Sequence, residues 1–148
     1  HPALGVTAMN VAPEFGTVET QAYLKLIEVE ERLAKQGLIP DVSRLGQVLR
    51  EEAVGSGRWK KWMVDGKENL SPEEIFRDEK LTRLITEISG HYTFNRDSVK
   101  AEIKKLYENL ALSGIDGEKY VIYKIQNAIN HYVECFNLQG LTTKLQKA

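Results

Sequence analysis

The sequence has one cysteine, Cys135, in 148 residues, so it can form neither an internal disulfide nor a zinc site built on two thiolates. An excess of charge of either sign is also missing, since 20 basic and 21 acidic side chains leave a net charge of −1. That balance argues against a broad nucleic-acid surface, which needs surplus cations to displace counterions from phosphates. Long apolar runs are absent. The longest, such as Tyr120 to Tyr123, span a few residues, far short of the ~20 that cross a bilayer. No charged stretch followed by an apolar one opens the chain, so nothing there reads as a secretory leader. What is present is ordinary for a globular chain, with 42% hydrophobic and 28% charged residues. At 16.8 kDa the chain is expected to expose roughly 7,600 Å² folded against roughly 24,000 Å² unfolded, enough burial for a core without staples or metals. These features predict a soluble cytoplasmic protein with no membrane and no nucleic-acid partner.

Residues 4 to 12 (LGVTAMNVA) are rich in strand-forming types and carry no helical stripe, which predicts one buried strand ended by Pro13. A helix is expected from Thr17, with Val18, Ala22, Leu26, Val29 and Leu33 facing a core and Gly37 at its end. The remainder reads as helices. Asp41 or Ser43 is the expected cap of the next one, carrying Val42, Leu45, Val48 and Leu49. Arg58 to Val64 allows one short helix. Ser71-Pro72-Glu73-Glu74 is a helix start with a capping serine and proline at the first position. That helix is expected to break near Asp78 and resume through Leu81, Leu84, Ile85 and Ile88. Another opens at Asp97 or Ser98, with Val99, Ile103, Leu106 and Leu110 on one face and Gly114 at its end, and a last one runs from about Gly117 to Leu138. Its apolar face comprises Val121, Ile125, Ala128, Ile129, Tyr132, Val133 and Phe136. The reading is a mainly α chain of about six helices and one N-terminal strand. A lone buried strand cannot satisfy its own backbone groups, so it must pair with strands this chain does not supply. The chain also opens on His1-Pro2 rather than Met. Both features predict a portion of a longer α/β protein.

A strand, a short loop and a helix form the repeating unit of a (β/α)8 barrel, whose active site lies at the strands' C-terminal ends. Here that end is Asn10-Val11-Ala12-Pro13-Glu14. Gly5, Val6, Met9, Asn10, Val11, Ala12 and Glu14 resemble the eighth barrel strand of the class II, metal-dependent ketose-bisphosphate aldolases. That strand typically reads Gly-hydrophobic-x-Lys-hydrophobic-Asn-hydrophobic-Ala/Asp-Thr-Glu. Ala8 stands where the lysine would be and Pro13 where the threonine would be. Arg58-Trp59-Lys60-Lys61-Trp62, the Leu81 to Tyr92 helix and the stretch from Asn95 to Leu110 are similar to the C-terminal extension of one branch, the non-catalytic subunits of tagatose-1,6-bisphosphate aldolase. The resemblance implies a last barrel strand and helix over residues 1–37 and a helical extension over 38–148. It implies that Asn10 and Glu14 face a sugar or sugar-phosphate ligand. It also implies that any divalent metal, such as zinc, belongs to the parent protein or its partner subunit, with no cofactor and no catalytic residue in this portion. The expected partners are a catalytic aldolase subunit or further copies of the chain. Proline in place of the threonine at position 13 removes a hydroxyl and an N–H donor from the loop that binds phosphate in that family.

Other constellations are set beside plainer readings. His1, His91 and His131 form no metal-ligand spacing, and Asp65 to Leu70 breaks the calcium-loop pattern. Gly55-Ser56-Gly57 followed by Arg58, Lys60 and Lys61 offers backbone N–H groups and three cations for a phosphate, or else a solvated loop between helices. Trp59 and Trp62 offer a base-stacking surface or a partner surface, or else packed rings under snorkelling lysines. Cys135 is expected to be a buried, inert thiol. Glu28, Glu30, Glu31, Glu51 and Glu52 are spaced like the wet faces of helices. The expected function is a supporting, non-catalytic part of an aldolase-like protein of sugar-phosphate metabolism. A non-enzymatic helical interaction domain is the alternative, and a diverged barrel enzyme for an unphosphorylated sugar is a third reading.

Overall fold

The computed structural model describes residues 12–136 and 138–140. Six α-helices follow one another: α1 (Ala12–Lys35), α2 (Leu45–Gly55), α3 (Pro72–Arg77), α4 (Glu79–Ser89), α5 (Asp97–Leu112) and α6 (Gly117–Cys135). Short 3-10 turns cover Arg58–Trp62, Lys67–Asn69 and Gly90–Thr93. No strand occurs among the described residues, and residues 4–11 of the expected strand lie outside them. Its last expected residue, Ala12, is helical instead, and α1 begins five residues earlier than Thr17. Pro13 therefore sits in a first helical turn, where its missing N–H has no intrahelical partner to lose. Thr17 does not cap. Its Oγ1 donates to the Pro13 carbonyl at 3.0 Å, and that of Thr20 donates to Gly16 at 2.8 Å.

Local signals elsewhere act as their chemistry dictates. After α1, Gly37 takes φ 73°, its N–H donates to Ala34 O, and Leu38 N–H reaches back to Leu33 O. Gly114 closes α5 with the same paired bonds. Ser71 and Glu74 exchange bonds in a capping box at α3. Asp78 ends α3 and caps α4 by accepting from Leu81 N at 3.0 Å. The start of α2 departs from expectation. Neither Asp41 nor Ser43 caps it, because both are recruited elsewhere: Asp41 accepts from Lys105 and Ser43 donates to Glu30. The α2 cap position is Arg44, whose N–H donates to Glu102.

Two apolar clusters hold these helices together. The first joins Ala22, Tyr23 and Leu26 of α1, Leu45 and Leu49 of α2, Val99, Leu106 and Leu110 of α5, and Val121 of α6. Side chains from both sides of residue 37 thus share one core. The second joins Val54 of α2, Trp59, Ile75 of α3, and Leu81 and Ile85 of α4. Thr20 of α1 packs against Gly90, where an added Cβ would lie 2.8 Å from its Cγ2. Thr20, Thr82, Thr86 and Ser89 are buried, and each hydroxyl donates to a carbonyl, that of Thr82 to Ile75 O of α3. With hydroxyls satisfied locally, such residues pack closely at no polar penalty. Leu84, expected in the core, is 46% exposed because it lies nearly opposite the row of Thr82, Thr86 and Ser89, on the side of α4 turned away from the packing.

Two further expectations are overturned. Glu30 is fully buried rather than on a wet face: its Oε1 accepts from Ser43 N at 2.8 Å and Asn109 Nδ2 at 2.5 Å, and its Oε2 from Ser43 Oγ at 2.7 Å. Three donors replace the water that burial removes. Cys135 is exposed, not buried, with its Sγ 3.6 Å from His131 Nε2 one turn earlier. In α6 only Gly117, packed on Tyr107 and Leu110 of α5, and Val121 are fully buried, and Ile122, Tyr123 and Ile129 remain open.

Candidate functional site

The expected site residues fall in two places, with Asn10 outside the described residues. Glu14 lies in the first turn of α1 and is exposed. The Tyr132 hydroxyl of α6 donates to its Oε2, and the Tyr132 ring meets Phe15 edge-on at 5.6 Å. The far end of the last helix is thereby tied to the beginning of the first. Acceptance by Glu14 pushes the Tyr132 phenol above its ordinary range.

Arg58, Lys60 and Lys61 lie on the 3-10 turn after α2, and the structure brings two of them together on a residue that sequence spacing did not reveal. Arg58 Cζ lies 5.5 Å and Lys61 Nζ 5.7 Å from the centre of the Tyr92 ring. Lys61 also lies 5.0 Å from the Trp62 ring, and Lys60 points to Trp59 at 5.8 Å. None of the three cations has a carboxylate partner among the described residues. The tryptophans divide. Trp59 is buried and donates from Nε1 to Val54 O at 2.8 Å, which pins the turn to α2, whereas Trp62 is 50% exposed. The glycine-serine segment before them is not an anion nest. The N–H groups of Ser56 and Gly57 are donated to Glu52 O and Val54 O, and that of Arg58 to Ser56 Oγ. Only the side-chain cations remain to meet an anion, presented with an exposed indole on an open surface.

His91 links this surface to the start of α1. Its ring lies 4.0 Å from that of Tyr92, tilted by 39°, and occupies the space a side chain on Gly16 would fill, 2.3 Å from an ideal Cβ. Its Nδ1 is buried without a hydrogen-bond partner. Burial, reinforced by the Lys61 charge, holds its pKa below the ordinary 6.5. The unfolded chain therefore takes up the proton first, and stability present above pH 6.5 is lost as pH falls towards the folded value. In thermal melts between pH 7 and pH 5, the expected acid-side loss of Tm shrinks in His91→Gln and persists in His131→Gln. An equal slope in all three proteins would remove His91 from this role.

Among the described residues, no three His, Cys, Asp or Glu side chains converge as metal ligands would. The groove between α1, α2 and α4 is lined by Glu28, Glu31, Arg50, Glu79 and Arg83, with Arg83 paired to Glu87 at 3.0 Å. No described helix is long and apolar enough to cross a membrane. No family model matches this chain, and neither a curated protein nor a solved structure matches it.

Proposed function

We propose that this chain is the C-terminal part of a class II aldolase-like protein of ketose-bisphosphate metabolism, a cytoplasmic, non-catalytic part that supports a catalytic subunit. The observation carrying this reading is the tie between Tyr132 and Glu14. In a barrel enzyme the ligand sits at the C-terminal ends of the strands. Glu14 is the last residue of the stretch that resembles the eighth strand, so α6 reaches back to the position where that mouth would open. Arg58 and Lys61, connected to Gly16 through Tyr92 and His91, supply cations on elements beside the start of α1. They are the natural candidates to meet a sugar phosphate where Pro13 has replaced a threonine.

The test is an aldol-cleavage assay on tagatose 1,6-bisphosphate, reading triose phosphate release. The natural protein carrying this segment is assayed alone and mixed with a catalytic aldolase subunit. The expected result is no cleavage alone and a several-fold longer thermal half-life of the catalytic subunit in the mixture, weakened by Tyr132→Phe. Cleavage by this protein alone, or no effect on the catalytic subunit, overturns the reading. A second reading, a helical interaction domain outside sugar metabolism, draws its support from the open face of α6, where Ile122, Tyr123 and Ile129 are exposed.

A further inference from the structure

Two cations of the turn after α2 converge on one ring. Arg58 Cζ and Lys61 Nζ lie 5.5 and 5.7 Å from the centre of Tyr92, and neither meets a carboxylate among the described residues. Like charges gathered in this way repel, and a counter-charge relieves them. The last carboxylate of α2, Glu52, is committed to Arg96 and Ser98. The turn is also fixed in place. Trp59 Nε1–H donates to Val54 O at 2.8 Å, and the N–H groups of Lys60 and Met63 donate to Gly57 O and Lys60 O. Two exposed cations on a fixed backbone are pre-organised for an anion.

What adjoins the cations narrows the anion. Lys61 Nζ also lies 5.0 Å from the centre of the Trp62 ring, so an anion held by Lys61 has a half-exposed indole beside it. An indole face is apolar and electron-rich, a match for the polarised C–H bonds on one side of a sugar ring. A nucleotide base gains most from a second ring that completes a sandwich. Trp59, the other indole of the turn, is buried, and Tyr92 carries the two cations. Lys60 is directed to Trp59 instead, at 5.8 Å.

We infer that the helical region carries a sugar-phosphate site of its own, with the phosphate held by Arg58 and Lys61 and the sugar ring laid on Trp62. Arg58 offers paired N–H donors to two phosphate oxygens, and Lys61 adds a point charge. Lys60 takes no part. Trp62 is the specificity-determining residue, since it meets the carbon skeleton and not the charge. The site binds a phosphorylated sugar without reacting with it. This inference rests on the sugar-phosphate reading above and divides that ligand among named side chains.

The experiment is a titration of the 148-residue chain with tagatose 1,6-bisphosphate, following the two indole N–H signals by nitrogen-15 correlation spectra and the affinity by calorimetry. The Trp62 signal is expected to move, and that of Trp59, donated to Val54 O, to stay. Unphosphorylated tagatose is expected to move neither. Arg58→Gln/Lys61→Gln is expected to weaken binding about tenfold, and Lys60→Gln less than about twofold. Trp62→Ala is expected to weaken the bisphosphate about threefold and to leave inorganic phosphate unchanged. All four positions are exposed, so the variants keep the dispersed spectrum of the wild type. A Trp62 signal that stays still at saturating ligand overturns the inference. So do affinities indifferent to Arg58→Gln/Lys61→Gln or to Trp62→Ala, and tighter binding of adenosine monophosphate than of tagatose 6-phosphate. The thermal half-life of the catalytic subunit remains the separate test of the supporting role, so the two readings fail independently.

Discussion

Glu30→Ala is expected to destabilise the fold by about 3 kcal/mol, whereas the same change at its neighbour Glu31 stays within about 0.5 kcal/mol. The contrast follows from what each carboxyl touches. Glu31 is exposed and has no buried partner. Glu30 gathers Ser43 N, Ser43 Oγ and Asn109 Nδ2 inside the packing of α1, the turn before α2, and α5. Removing it leaves a backbone N–H, a hydroxyl and an amide short of an acceptor in a site that excludes water. Asn109 keeps one bond, to Asp41 O at 2.9 Å, which limits the loss. For a chain of this size the expected fall in Tm is roughly 6–12 °C, measured by calorimetry or circular dichroism. Equal effects at both positions would mean that Glu30 is solvated like its neighbour.

The second large effect is a change of sign. Alanine in place of glycine inside a helix normally stabilises by about 0.5–1 kcal/mol. Gly16 lies within α1, yet an ideal Cβ there falls 2.3 Å from Cγ of His91 and 2.5 Å from its Cδ2. Those atoms belong to a ring held on Tyr92, not to the end of a flexible chain. Gly16→Ala is therefore expected to destabilise by about 1–3 kcal/mol through overpacking. In the His91→Ala background the same substitution is expected to become neutral or stabilising. The double-mutant cycle then yields a coupling of about 1–4 kcal/mol, measured from urea melts of the four proteins. Additive effects would place the two residues out of contact.

These two sites also mark where sequence patterns stop informing. Helix ends were legible because their chemistry is local: Ser71 with Glu74, Asp78, Gly37 and Gly114 act within a few residues of themselves. The apolar rows of α1, α2 and α5 were legible because burial follows helical period, as at Leu26, Leu49 and Leu106. Glu30 was not, because its partners lie 13 and 79 residues away and its own spacing is that of an ordinary outward residue. The docking face of α4 was missed because threonine and serine score as polar, although their hydroxyls are satisfied within the chain. In the candidate site, the cations of the 58–62 turn were readable. The Tyr92 ring under Arg58 and Lys61, the His91–Gly16 contact and the Tyr132–Glu14 bond were not, since each joins residues distant along the chain.

Helix α2 serves two masters. Its first turns contribute Leu45 and Leu49 to the core shared by α1, α5 and α6, and its last turn contributes Val54 to the cluster around Trp59, Ile75 and Ile85. The Val54 carbonyl is also the acceptor that pins Trp59, and with it the turn bearing Arg58, Lys60 and Lys61. A rigid rod eleven residues long thus behaves as a lever whose two arms are embedded in separate masses of side chains. The cationic turn is therefore anchored, through Val54, to the same rod that carries Leu45 and Leu49 into the main core. The two clusters can be rebuilt one at a time, but the rod between them cannot be shifted without disturbing both.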